Sequence, residues 1–99
     1  MRFKINKNLL NKTALLNRKI SDSNLTYLNF GNGSIFDKKN NTIYIKGSGF
    51  NTNLTNYKKI AVCNFSRSYK LKRMNKIKPS VDTLTHAYLY LNLKNVFSI

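Results

Sequence analysis

Residues 34–49 read Ser34-Ile35-Phe36-Asp37-Lys38-Lys39-Asn40-Asn41-Thr42-Ile43-Tyr44-Ile45-Lys46-Gly47-Ser48-Gly49. Two short β-prone runs, Ser34-Ile35-Phe36 and Thr42-Ile43-Tyr44-Ile45, flank the turn-forming Asp37-Lys38-Lys39-Asn40-Asn41, which predicts a β-hairpin. Upstream, Leu9, Leu10, Leu16 and Ile20, with Ala14 and Leu15 beside them, recur at helical offsets. They predict an amphipathic helix over residues 8–20, ended by Ser21-Asp22-Ser23. Downstream, a short helix is expected over residues 53–59, followed by a third strand, Ile60-Ala61-Val62-Cys63-Asn64-Phe65.

Residues 66–78 carry Arg67, Lys70, Lys72, Arg73, Lys76 and Lys78 with little apolar periodicity, and read as a surface connection. Pro79-Ser80 is then expected to open a second helix. Ser80 would cap its first turn, Asp82 would lie against the positive end of the dipole, and Val81, Leu84, Tyr88 and Leu91 would form one apolar stripe. That helix is expected to end near Leu93, and Val96-Phe97-Ser98-Ile99 reads as the start of a buried strand. There is no internal repeat and no Gly/Ser-rich or Pro-rich linker.

The 99 residues allow one small domain, which at this size buries only about 60–70% of the surface its unfolded chain exposes. Hydrophobic residues make up 41% of the chain, enough for a modest core and too much for a disordered tail. One cysteine, Cys63, excludes an internal disulfide, and with one histidine, His86, the chain cannot assemble a His/Cys zinc cage by itself. Eighteen Lys and Arg against three acids give a formal charge of +15, which raises nucleic acid, another polyanion or an anionic membrane as a partner. Part of that charge follows composition, since the 14 lysines accompany 16 asparagines, both favoured by AT-rich codons. No apolar run approaches the roughly 20 residues of a membrane-spanning helix, so no membrane partner and a cytoplasmic location are expected.

Three polar turns could offer N–H or hydroxyl donors to an anion: Phe30-Gly31-Asn32-Gly33-Ser34, Gly47-Ser48-Gly49 and Pro79-Ser80. Each taken singly is ordinary turn chemistry. Their order resembles the N-terminal portion of the class II aldolase/adducin family. The resemblance runs from about residue 13 to Ile99, through Asn17 to Ile20, the Gly-Asn-Gly-Ser turn, Ile43-Tyr44-Ile45-Lys46-Gly47-Ser48-Gly49-Phe50, and Lys78-Pro79-Ser80-Val81-Asp82-Thr83 to His86. It is nearest in flavour to sugar-phosphate aldolases of the rhamnulose-phosphate and fuculose-phosphate type, with epimerase and dehydratase relatives not separable from them.

The resemblance implies an α/β fold, three-layer α/β/α with a mainly antiparallel sheet, and residues 1–99 forming a single partial domain. It implies Asn32, Ser48, Gly49 and Ser80 as ligands of a substrate phosphate. It also implies Asp82 as the general acid/base where the family carries Glu, and the shorter side chain alters its reach. Val81 stands where the family has a second serine. His86 sits where family members often carry histidine, but is not one of the family's zinc ligands. The zinc motif, two histidines one residue apart, follows the strand that begins here at Val96. The chain is therefore expected to be truncated before it, with no metal ligands of its own, and to be inactive alone. Family members form homo-oligomers, and a separately encoded C-terminal half is a further candidate partner.

Two residues read as structural or as the alternative. Cys63 lies in an apolar strand with no activating histidine beside it and is expected in the core. Tyr69 among Arg67, Lys70, Lys72 and Arg73 is the feature that would serve a small RNA-binding or polyanion-binding protein.

Overall fold

The computed structural model describes residues 4–22, 32–50, 55–66, 68 and 70–99. Gly31, Asn53, Arg67 and Tyr69, each part of an expectation above, lie outside the described residues.

The first helix, α1 (Lys7–Asp22), begins where Asn6 turns its side chain onto the free amides of the first turn. Asn6 Oδ1 accepts from Asn8 N at 2.9 Å and Leu9 N at 3.2 Å, satisfying two donors that the helix cannot. The hairpin forms as its sequence predicts, from β1 (Ser34–Asp37) and β2 (Thr42–Lys46), paired antiparallel with Ile35 opposite Tyr44. A single 3-10 turn, Lys38–Asn40, joins them, and Asn41 closes it at φ 48°, a left-handed conformation that asparagine tolerates. Next comes β3 (Ile60–Phe65), which pairs antiparallel with β2. Of the short helix expected over residues 53–59, the described part is a 3-10 turn at Tyr57–Lys59.

The basic stretch after β3 is not simply a connection. Leu71–Arg73 forms β4, antiparallel to β3, with Leu71 opposite Phe65 and Arg73 opposite Cys63. Lys72 and Arg73 face solvent on this outer strand, where charge is tolerated and discourages further pairing, so a strand can form without an apolar pattern. At the other edge, Ser34 and Ile99 exchange two backbone hydrogen bonds (2.8 and 3.1 Å), and Phe36 N donates to Phe97 O at 2.8 Å. The expected strand at residues 96–99 is thus present only as this short antiparallel bridge. It is not buried, since Phe97 remains half exposed.

The sheet runs β1-β2-β3-β4, all antiparallel, and its two faces bury different helices. Ala14 of α1 packs with Tyr44, Ile60 and Val62, while Ile43, Ile45, Ala61, Phe36 and Phe65 receive Ala87 and Tyr90 of α2 (Thr83–Asn92). Strand alternation assigns these partners, because Tyr44 points opposite to Ile43 and Ile45. The result is the three-layer α/β/α arrangement with an antiparallel sheet. Phe36 stacks on Tyr90 with centroids 4.8 Å apart and meets Phe65 at 5.5 Å, fixing α2 over the hairpin.

The face that α2 buries differs from the sequence expectation. Thr83, His86, Ala87 and Tyr90 face the sheet, whereas Val81, Leu84 and Tyr88 of the predicted stripe are 85%, 50% and 55% exposed. Only Leu91 of that stripe packs on the core. The polar face can go inward because its polar atoms have partners there: Ser34 Oγ meets His86 Nδ1 at 2.7 Å and the Tyr90 hydroxyl at 2.6 Å.

Truncating Ile43, fully buried in the centre of the sheet, is expected to lower the unfolding free energy by about 2–5 kcal/mol. Leu84→Ser should change it by no more than about 0.5 kcal/mol. Urea denaturation of both variants checks this, and an equal loss from Leu84→Ser would put the apolar stripe back in the core.

Candidate functional site

The candidate site lies beside the N-terminal end of α2, where residues 78–83 contact both Asn32 and the turn after β2. Residues 78–83 form one turn. Ser80 O accepts from Thr83 N at 3.1 Å and from Thr83 Oγ1 at 2.6 Å, and Ser80 Oγ accepts from Asp82 N at 3.2 Å. Such side-chain-to-backbone turns are what serine and threonine favour outside a helix. The cap position is consequently Asp82, with α2 starting at Thr83, rather than Ser80 as the sequence predicts. Asp82 makes no capping bond with its side chain, which is thereby left for another partner.

That partner is Asn32. Asn32 Nδ2 donates to Asp82 Oδ2 at 2.9 Å, joining residues 50 positions apart in the chain. The Asn32 amide oxygen is buried and has no hydrogen-bond partner among the described residues. A buried acceptor without a partner costs about 1–3 kcal/mol, so Asn32 is held here at some expense.

A second turn follows β2. Gly47 bridges Pro79 in antiparallel fashion, and Ser48 N donates to Lys78 O at 2.8 Å, which seats the Gly-Ser-Gly turn against residues 78–80. The Ser48 backbone amide is thereby used, leaving its hydroxyl as the group a ligand could meet. Gly49 has φ 84° and lies exposed, with open space where a Cβ would stand. Glycine suits this left-handed position.

Of the predicted site residues, the structure therefore brings Asn32, Ser80 and Asp82 into one connected group and seats Ser48 and Gly49 on its neighbouring turn. The Val81 position, 85% exposed, supplies no hydroxyl. Lys46 is buried with its ammonium donating to Phe50 O, and burial lowers its pKa from the ordinary lysine value. It staples the turn after β2, while Lys78 is exposed beside Ser80.

Sequence reasoning missed the residues that hold Asn32 in place. Asn17, on the sheet-facing side of α1, accepts from Gly33 N at 2.7 Å and donates to Gly33 O at 3.0 Å. Ser34 joins His86 and Tyr90 as described, and burial pushes the Tyr90 hydroxyl up to about 12. The available signal was the polar pair Thr13 and Asn17, one turn apart beside Ala14. These three, not the leucines, are the buried residues of α1.

Among the described residues, no three His, Cys, Asp or Glu side chains are grouped so as to hold a metal ion. His86 Nδ1 is engaged by Ser34, and Cys63 is fully buried with its thiol pushed up to about 11 by burial, which suits neither ligation nor nucleophilic attack. The donor set of the described residues does not fit a zinc centre. No described helix is long and apolar enough to cross a membrane.

Residues 11–99 match the class II aldolase and adducin N-terminal domain. The chain belongs to that family. Among solved structures it is similar to L-fuculose 1-phosphate aldolase, with a TM-score of 0.81 at 18% identity, over 95% of this chain and 43% of that one. It is also similar to YgbL, a putative aldolase/epimerase/decarboxylase, from Escherichia coli (TM-score 0.78, 15% identity, 96% of this chain and 44% of that one). YgbL from Klebsiella pneumoniae gives a TM-score of 0.77 at 12% identity with the same coverage. No curated protein matches the sequence. The chain thus has the class II aldolase fold over less than half the length of these structures.

Within this class II aldolase-type fold, His86 gives the junction a pH dependence. Burial holds the imidazole below its ordinary value near 6.5, with the Asp82 carboxylate opposing. Below about pH 6.5 the unfolded chain takes up a proton that folded His86 refuses. Stability should therefore fall as pH drops from there until the folded imidazole also titrates. Urea denaturation between pH 7.5 and 5.5 checks the sign, and His86→Gln should flatten the slope over that interval.

Proposed function

We propose that this chain forms the phosphate-holding part of a class II aldolase-type sugar-phosphate site, in the manner of fuculose-phosphate and rhamnulose-phosphate aldolases and the related epimerases. The observation that carries the reading is the contact of Asn32 Nδ2 with Asp82 Oδ2. It joins the Gly-Asn turn to the Ser-x-acid turn, which family resemblance gives the phosphate and the proton-transfer role. Asn32, the Ser48 and Ser80 hydroxyls, and the backbone at Gly49 are the proposed phosphate ligands. Asp82 is the proposed general acid/base, exposed at the start of α2 where the helix dipole favours its carboxylate.

The Asp82 carboxylate accepts from the Asn32 amide, the group proposed to meet a phosphate oxygen. Repulsion between the phosphate and the carboxylate favours Asp82 turning away on binding, which frees it to face the sugar carbons. The metal of the resembled aldolases supplies Lewis-acid stabilisation of the enediolate. The described residues offer no ligand set for it, so its ligands would lie outside them. By itself the 99-residue chain is proposed to bind a ketose phosphate without cleaving it.

Inorganic phosphate titrated into the 15N-labelled protein should shift the Asn32 side-chain amide and the Ser48 and Ser80 backbone signals. Asn32→Ala should weaken binding roughly tenfold or more, the worth of a hydrogen bond to a charged group. Asp82→Asn should tighten it, because a competing and repelling carboxylate is removed. Shifts confined to Lys70, Lys72, Arg73 and Lys76, indifferent to Asn32→Ala, would replace this reading with generic polyanion binding. Incubated with L-fuculose 1-phosphate and zinc, the isolated chain should show no aldol cleavage, and turnover would show that it completes a metal site unaided.

A further inference from the structure

We infer that Asn17 is the positioning residue of this site: from within α1 it fixes the Gly33 peptide and so holds Asn32 against Asp82. The inference rests on the phosphate reading above for its functional meaning, but its geometry stands apart from it. Asn17 is fully buried between helix and sheet, a place where an unsatisfied carboxamide is costly and an apolar side chain would do as well for packing. Its groups are all matched. Nδ2 donates to Thr13 O at 2.8 Å and to Gly33 O at 3.0 Å, and Oδ1 accepts from Gly33 N at 2.7 Å.

Two antiparallel hydrogen bonds to one residue set both the position and the orientation of that residue's backbone, as a bridge in a sheet does. Gly33 can enter this grip because it has no side chain. A Cβ there would come within 2.9 Å of Leu16 and Ile20 side-chain atoms. Asn32 precedes Gly33 directly, so the grip anchors the residue whose amide reaches Asp82. The other bond of Nδ2, to Thr13 O, ties the carboxamide to its own helix and removes its freedom to rotate. Asn17 touches no proposed ligand of the phosphate and acts through Asn32.

The test compares the unaltered chain with Asn17→Leu, which keeps most of the volume and removes all three bonds. In the otherwise unaltered chain the Asn32 side-chain amide signal should move on the substitution Asp82→Asn. In Asn17→Leu that response should vanish while the β2 and β3 amide shifts persist, and inorganic phosphate affinity should fall roughly tenfold or more. If Asn17→Leu keeps both the Asn32 response and the affinity, the inference is overturned and the phosphate reading survives. If the unaltered chain shows no phosphate binding, the phosphate reading falls, and the Asn32 response alone decides: its loss in Asn17→Leu supports positioning and its retention overturns it. If Asn17→Leu does not fold, amide exchange in the unaltered chain decides. A Gly33 N–H protected as well as β2 amides supports the grip, and one that exchanges as an open turn overturns it.

Discussion

The exchange of two hydrogen bonds between the Asn17 carboxamide and the Gly33 backbone is the constraint on which the rest of this structure depends. Residues 32–34 are three consecutive positions with three different obligations. Asn32 reaches Asp82, Gly33 is gripped by α1, and Ser34 engages His86 and Tyr90 of α2. The two helices lie on opposite faces of the sheet and pack against different core clusters among the described residues, and this tripeptide links them by hydrogen bonds. In this buried polar network Asn17, Ser34, His86 and Tyr90 each have partners, and the Asn32 amide oxygen is the member without one among the described residues.

The hairpin, the third strand and the first helix were legible because each follows from local pattern. Ile43, Tyr44 and Ile45 alternate across a sheet buried on both sides, and the Asp37–Asn41 region has only turn-forming residues to offer. Cys63 was legible as core for the same reason. β4 was not, because Leu71-Lys72-Arg73 has no apolar pattern and becomes a strand through pairing with β3. The orientation of α2 does not follow its hydrophobicity. The imidazole of His86 and the hydroxyl of Tyr90 turn inward on finding Ser34, and Leu84 and Tyr88 are left outside.

The candidate site was readable only in part. Asn32, Ser48, Gly49, Ser80 and Asp82 could be singled out from the order of short motifs, but spacing along the chain does not say that Asn32 and Asp82 touch. Topology does: β1 places residue 32 at the sheet end where the bridge of Gly47 to Pro79 delivers Ser80 and Asp82. Beyond its pairing with Thr13 one turn away, Asn17 gave little signal as a site residue, because its chemistry is directed at a backbone and an asparagine in a chain containing 16 of them does not stand out. Lys46 sat beside the glycine turn in sequence, yet its ammonium is committed to Phe50 O.

The role of this junction is tested most directly by a crystal structure of the protein grown with a ketose 1-phosphate. The expected result is a phosphate group between Asn32 Nδ2 and the Ser48 and Ser80 hydroxyls, with the Asp82 carboxylate displaced from Asn32 and turned toward the sugar carbons. Phosphate held only by surface lysines, with the Asn32–Asp82 hydrogen bond still closed, would contradict it.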